Sequence, residues 1–477
     1  MCGIIGIIGG KPASRLIYHG LFAIQHRGQS SAGKLTYDGN IHIYKDAGLV
    51  REVFNDEKRI DTPGNIGIGH TRYSTAGFDD INSLKNNAQP EYLVNPFLAA
   101  AFNGNIYNCH EMKKLTNRKP RTDSDIQWIL LPMADELYKK ELDVNTIFKA
   151  CEKIMKNLKG SYSALFLADS GDNPFLFGIT DPRKIRPLVL GKSNGMFCLT
   201  SETRVFKKIN FEYVKDIPGG SIVIIDKLGN IFEKQILKKS ELPCMFEFVY
   251  FAKPDSRING RSVHKVRDEI GRLLAKDEWV EADIVIPVPE SGRRYALGFC
   301  RESGIPIDEG IMKDKDERSF IQQTQESRDK VVEEGLSFIR SVLAGKRVIL
   351  LDDSIVRGTN IRKLVHGIKS AGAKEVHIRI GCPPLIAPCY LGIDMRSRKE
   401  FIARDKTGEI RNWEDIAKEI GADSLSYLSI KKLKEAIGFD VCCGCIDFPT
   451  GYPKDMQKDV KRLYKKDKKD VRAYECL

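Results

Sequence analysis

The sequence predicts two structural units of different rhythm: an α+β sandwich of stacked sheets flanked by helices, followed by an α/β unit wound on a parallel sheet. Three observations lead there. Short β-like runs separated by Gly-rich turns fill the chain from Ile4 to about Ile236. From about Glu241 apolar strands are instead followed by helical patterns, the rhythm of a parallel sheet. A chain of 477 residues also exceeds one ordinary core, since a domain usually takes about 150 residues. The change of rhythm places the boundary between residues 236 and 243, giving units 2–240 and 241–477.

In the first unit, residues 41–44, 97–102, 163–168 and 221–225 read as strands, and 15–24 and 124–139 read as helices. In the second, 284–288 and 348–351 are apolar enough for buried parallel strands. The helix after the latter is amphipathic through Ile361, Leu364, Val365 and Ile368 and stops at Gly372. A hydrophobic share of 42% and a charged share of 29% are those of a globular protein. No apolar run approaches the roughly 18 residues of a membrane span, and the apolar start lacks the basic region of a signal peptide. The expected location is the cytoplasm, with no membrane partner.

The net charge of +12 invites a nucleic-acid reading. Much of the excess, however, lies in 454–472, where lysines alternate with Asp455, Asp459, Asp467 and Asp470. That mixture reads as a solvated helix, and a positive field suits a polyphosphorylated small substrate better than nucleic acid. Twelve cysteines in such a chain point to chemistry or metal binding before a disulfide framework.

The first chemical feature is Met1-Cys2-Gly3-Ile4. Removal of Met1 would leave thiol and α-amine on one residue, with reference pKa values of about 8.5 and 8, so the amine can take the thiol's proton near neutrality. A buried structural cysteine is the bland alternative. Downstream stand Gln25-His26-Arg27-Gly28-Gln29, Gly69-His70-Thr71-Arg72-Tyr73-Ser74-Thr75, Phe102-Asn103-Gly104-Asn105-Ile106 and Thr122-Asp123-Ser124-Asp125. Singly, Asn103-Gly104 reads as a hairpin turn and Asp123 as a helix cap. Together and in this order they resemble the glutaminase domain of class II glutamine amidotransferases, which has the N-terminal-nucleophile hydrolase fold, an αββα sandwich. The resemblance implies that Cys2 is the nucleophile, that Arg72 holds the glutamine carboxylate and Asp123 its α-amino group, and that the Asn103 side-chain NH and Gly104 backbone NH form the oxyanion hole. Ser30 and Asp125 stand where the family usually has Glu.

In the second unit, Val348-Ile349-Leu350-Leu351-Asp352-Asp353-Ser354-Ile355-Val356-Arg357-Gly358-Thr359 reads as a buried strand running into two acids, a small-residue loop and a helix. Loop amides at a new helix N-terminus suit a 5-phosphate, and the acids suit ribose hydroxyls and a divalent cation. The string resembles the phosphoribosyl-pyrophosphate motif of type I phosphoribosyltransferases. That resemblance implies substrate binding by Asp352, Asp353, Ser354, Val356, Arg357, Gly358 and Thr359, with Mg²⁺ near Asp352, Asp353 and Ser291. Ser291 lies in Pro287-Val288-Pro289-Glu290-Ser291-Gly292, which looks like the pyrophosphate loop.

A glutaminase followed by a phosphoribosyltransferase is similar to the amidophosphoribosyltransferase family. The resemblance implies a glutamine-dependent pentosyltransferase that makes 5-phosphoribosylamine, glutamate and diphosphate from glutamine, 5-phosphoribosyl 1-diphosphate and water, at the first step of purine synthesis. It also implies a homotetramer or homodimer, feedback inhibition by purine nucleotides, and an ammonia channel closed by a mobile loop. The loop text is altered at 313–322: the family's tyrosine is missing, and Glu290, Arg293 and Arg294 depart from the pyrophosphate-loop pattern. A sensor that binds the pyrophosphate sugar without catalysis, or another class II amidotransferase, is therefore the alternative reading.

Cys442-Cys443-Gly444-Cys445 contains a C-x-x-C, and Cys244 and Cys389 lie where the cluster-bearing branch keeps its other ligands. By that resemblance Cys244, Cys389, Cys442 and Cys445 hold a [4Fe-4S] cluster as a staple. Zinc is the rival, and Cys443 competes with Cys442. Cys109, Cys151, Cys198, Cys300, Cys382 and Cys476 form no ligand pattern and read as core or surface thiols. Maturation is expected to need only the loss of Met1.

Overall fold

A computed structural model describes residues 1–73, 81–122, 124–171, 173–277, 280–313, 335–395, 400–405 and 407–466. Its first unit is built on two antiparallel sheets. The seven-stranded sheet runs in the order Glu212–Asp216, Val189–Ser193, Met196–Thr200, Gly3–Ile8, Ile66–Arg72, Ser31–Tyr37, Ile41–Ala47. The six-stranded sheet runs Ile231–Gln235, Ser221–Asp226, Phe175–Thr180, Gly160–Asp169, Phe97–Ile106, Glu91–Leu93.

Alternation along each strand makes the layers. Ile4 and Ile8 enter the core between the sheets with Leu165, Leu167, Leu176 and Val223. Ile5 and Ile7 point the other way, under the helices Ser14–Ala23 and Arg204–Ile209. On the far side Ala164 and Phe166 pack beneath Gln127–Leu137 and Val144–Asn157. This is the expected αββα sandwich. The helix expected from residue 124 begins at Gln127, because Ser124 is spent on a turn in which its carbonyl accepts from the Gln127 amide.

The second unit carries a four-stranded parallel sheet in the order Ile284–Pro287, Arg347–Asp352, Glu375–Ile380, Ser424–Tyr427. Its helices include Val263–Ala275, Arg293–Ser303 and Thr359–Ser370. Within the basic stretch 454–472, Gln457–Lys466 forms a helix with Val460 and Leu463 buried and Tyr464 packed on the core, while Lys458, Lys461, Arg462, Lys465 and Lys466 are exposed; residues 467–472 lie outside the described residues. Cys109 corrects the reading of it as a simple thiol: it is disulfide-bonded. Among the described residues no helix is long and apolar enough to cross a membrane.

Candidate functional site

Cys2 precedes the central strand Gly3–Ile8, whose antiparallel register sets Gly3 opposite Thr71. A side chain at position 3 would meet Thr71 Oγ1 at 2.7 Å and Ile24 at 2.8 Å, so glycine after Cys2 lets these side chains pack against the strand. The same register brings in His70 and Arg72 from Ile66–Arg72. The second sheet delivers Asn103 and Gly104 mid-strand, opposite Ser163 and Tyr162. They are therefore not the hairpin turn their dipeptide suggests.

With Met1 in place, the Cys2 nitrogen is a peptide N–H that donates to Asn103 Oδ1 at 3.1 Å. That leaves Asn103 Nδ2 buried without a hydrogen-bond acceptor, a donor ready for an oxyanion. Burial alone would raise the Cys2 thiol, but the electrostatic influence of His70, the Met1 amine and the Tyr73 backbone outweighs it and brings the thiol down to about 6. The His70 ring is held through Nε2 by the Phe102 carbonyl at 3.0 Å. Met1 itself is buried against the Arg186 guanidinium, and burial lowers its amine to about 6.

Arg72 is 4% exposed at the end of its strand. Asp123, Ser74 and Thr75 lie outside the described residues. Asp125, set aside on sequence grounds, lies within electrostatic reach of Arg72 and Cys2. Burial pushes its carboxyl up to about 7, and the Ile106 amide donates to it at 3.1 Å. The Gln25–Gln29 motif acquires a role as well. A side chain at Gly28 would meet the Arg72 carbonyl carbon at 2.5 Å, so glycine lets this turn press on the Arg72 backbone.

In the parallel sheet, Pro287 and Leu351 are paired, so the two loops that follow emerge side by side at the strands' carboxyl ends. Ser291 donates from Oγ to Asp352 Oδ1 at 2.7 Å, and Ser354 donates to Asp353 Oδ1 at 2.5 Å. Burial raises both carboxyls, and Asp353 raises Asp352 further. The loop ends at Gly358, φ +79°, where a side chain would strike Ile402 at 2.3 Å. Helix Thr359–Ser370 follows and aims its first amides at the loop. Val356 is pinned by the Ile402 amide on its carbonyl at 2.9 Å, and Arg357 pairs with Glu400 at 2.8 Å. Arg293, one of the departures from the pyrophosphate-loop pattern, pairs with Glu309 at 2.6 Å. Of the altered loop 313–322, only Lys313 is among the described residues.

Tyr250, 55% exposed, senses groups of both centres. Burial, then Asp353, Tyr73 and Asp352, push its hydroxyl up to about 12, so it stands within electrostatic reach of a residue beside Cys2 and of both aspartates.

The cysteines of the second unit also converge. Cys244 and Cys442 form a parallel backbone bridge, the Cys442 amide donating to the Pro243 carbonyl at 2.8 Å. The Cys445 carbonyl accepts from the amides of Ile386 and Ala387, and Tyr452 clamps Pro388 and Tyr390 on either side of Cys389. All four are buried. Cys442 and Cys445 each feel Cys244 and Cys389, and burial holds both thiols far above their ordinary range. Cys443 feels Lys434, then Cys244, Asp447 and Asp440, so it too stands within electrostatic reach of the group. Among the described residues no group of three or more His, Cys, Asp or Glu side chains is arranged to hold a metal ion.

A family model described as a glutamine amidotransferase domain matches residues 74–208. An amidophosphoribosyltransferase of Methanocaldococcus jannaschii is 42% identical, covering 94% of this chain and 98% of its own. One from Methanothermobacter thermautotrophicus is 40% identical over 96% of both. A solved structure described as glutamine phosphoribosylpyrophosphate amidotransferase from B. subtilis complexed with ADP and GMP superposes with a TM-score of 0.83. It is 34% identical and covers 95% of this chain and 97% of its own.

Proposed function

The chain belongs to the amidophosphoribosyltransferase family, and from that premise we propose that Cys2, freed of Met1, is the nucleophile that releases ammonia from glutamine. The overall reaction is glutamine, 5-phosphoribosyl 1-diphosphate and water to 5-phosphoribosylamine, glutamate and diphosphate. In our reading the Cys2 α-amine takes the thiol's proton and Sγ attacks the amide carbon. The oxyanion that forms receives hydrogen bonds from Asn103 Nδ2 and the Gly104 amide. Collapse expels ammonia, and water hydrolyses the thioester to glutamate. Arg72 and Asp123 hold the amino-acid end of the substrate. The observation that carries this reading is the orphaned Asn103 amide beside a thiol drawn down to about 6.

Ammonia then passes Tyr250 and attacks C1 of the pyrophosphate sugar, displacing diphosphate. The amides of 354–358 and the start of helix Thr359–Ser370 take the 5-phosphate, and Asp352 and Asp353 take the ribose hydroxyls. Two buried carboxylates that repel each other, with Ser291 alongside, fit a hard divalent cation such as Mg²⁺, which when bound shields the diphosphate and eases its departure. Cys244, Cys389, Cys442 and Cys445 fit a [4Fe-4S] cluster, which supplies a structural tie, since the reaction has no redox step. The nucleotides on the B. subtilis relative support feedback by purine nucleotides, and family membership supports a homo-oligomer.

The test is an anaerobic assay with glutamine, the pyrophosphate sugar and Mg²⁺, accompanied by iron, sulfide and zinc determination. Glutamate and diphosphate are expected in equal amounts, each dependent on the other substrate, with about four irons per chain. Diphosphate-free glutamate release, or zinc in place of iron, overturns the corresponding part. Mass spectrometry of the active species is expected to show Cys2 at the N-terminus.

A further inference from the structure

Between the two units lies a buried ionic network that the reaction scheme above leaves unused. Arg27 is completely buried and donates from Nε to the carbonyl oxygen of Cys2 at 3.0 Å. Its Nη1 reaches Glu202 at 2.7 Å and Glu247 at 3.0 Å, and its Nη2 reaches Glu247 at 2.6 Å. Glu202 belongs to the glutaminase unit, where it also meets His26 at 2.7 Å. Glu247 comes from the second unit, at the start of the π-helical turn Glu247–Phe251. The far side of that turn is gripped by the transferase core. Arg267 donates to the carbonyls of Phe248 and Ala252 at 2.8 Å each, and the Tyr295 hydroxyl donates to that of Val249 at 2.6 Å. Arg267 in turn lies within electrostatic reach of Asp353.

We propose that Glu247, supplied by the transferase unit, is a positioning residue for the glutaminase nucleophile, acting through Arg27 on the Cys2 carbonyl. Three arguments carry this. A buried ion network is a weak source of stability, because desolvation offsets most of the attraction, so its geometry needs another explanation. The bond from Arg27 to the Cys2 carbonyl fixes the peptide plane that follows the nucleophile, while Asn103 Oδ1 holds the nitrogen that precedes it, so the two together set how Cys2 sits. Finally, Glu247 is the only one of the two carboxylates on Arg27 that lies on the transferase side, so docking of the units sets where the guanidinium sits. The proposal rests on Cys2 being the nucleophile.

The experiment compares Glu247→Gln, Glu247→Asp and Cys2→Ala in the full-length enzyme, measuring kcat and KM for glutamine and, separately, synthesis from added ammonia. Glu247→Gln is expected to lower the glutamine kcat at least about tenfold, with KM and ammonia-dependent synthesis within about twofold of the parent. Glu247→Asp should recover part of that loss. A parental kcat in Glu247→Gln overturns the proposal, and so does an equal fall of both activities, which marks a merely structural role. Should Glu247→Gln not fold, Glu247→Asp decides by the same split. Glutamine-dependent activity surviving in Cys2→Ala would overturn the nucleophile reading itself, whatever the Glu247 variants do.

Discussion

At the glutaminase centre the thiol of Cys2 is drawn down to about 6 by groups the protein itself supplies, His70 foremost among those that stabilise the thiolate. At the transferase centre burial drives Asp352 and Asp353 the other way, toward their protonated forms. At one site the countercharges outweigh burial; at the other, burial and the repulsion between the paired acids outweigh Arg267. The first is thus poised for chemistry before substrate arrives, whereas the second stores an electrostatic cost that a bound cation relieves. The contrast also runs through construction. His70 and Arg72 come from one strand, Asn103 from a strand of the other sheet and Cys2 from the residue before a third, while residues 348–359 form one continuous strand, loop and helix.

The largest expected effect separates the centres outright. Cys2→Ala should abolish glutamine-dependent synthesis, by at least about a thousandfold, while leaving synthesis from ammonia near the parental rate. If ammonia-dependent synthesis falls with it, the two sites are not independent and the contrast fails. Asp353→Asn should do the reverse, costing both glutamine- and ammonia-driven synthesis on the order of a hundredfold and raising the Mg²⁺ concentration for half-maximal rate. An unchanged Mg²⁺ response would show that the paired acids do not await a cation.

The continuous centre was the more legible of the two. Val348 to Leu351 are buried because a parallel strand covered on both faces must be apolar throughout, and Gly358 is required by its positive φ, so local text carries the local fold. The distributed centre has no such text. That Asn103 reaches Cys2 is a contact across 101 positions, and its dipeptide with Gly104 pointed to a turn where the chain forms strand. The contact entered only through resemblance to a family. Glu247 and the role of His70 were missed for the same reason: a buried polar pair is specified by its partner, and Arg27 lies 220 positions from Glu247. Asp125 was named but given no role, because nothing local signals that the fold returns it to Arg72.

Asn103 offers an intermediate test of the preorganised centre. Its Oδ1 orients the Cys2 nitrogen and its Nδ2 awaits the oxyanion. Asn103→Ala removes both, and loss of one oxyanion donor alone costs about a hundred- to a thousandfold in kcat. Asn103→Asp keeps the acceptor and removes the donor. It should therefore lose nearly as much kcat while binding glutamine with a KM within a few-fold of the parent. A variant impaired in KM alone would make Asn103 a substrate-binding group and weaken the case for a preformed oxyanion site.

The smallest expected effect concerns His70, and it asks whether the lowered thiol is a property of this centre's own charges. Hydrolysis requires the thiolate, so its rate should rise as pH climbs through the lowered thiol value and flatten before the ordinary value of about 8.5. His70→Gln keeps a polar side chain near the Phe102 carbonyl but removes the imidazole that lowers the thiol, which then moves up toward its ordinary value of about 8.5. The sign follows directly: at pH 6 the variant holds less thiolate than the parent and alkylates more slowly with iodoacetamide by several-fold, whereas well above pH 8 the two rates converge. A shift of the alkylation midpoint by one unit corresponds to about 1.4 kcal/mol of stabilisation of the thiolate. An unmoved midpoint would assign the low value to the α-amine alone. In that event the glutaminase centre would depend, like its neighbour, on a charge that the resting fold does not hold in place.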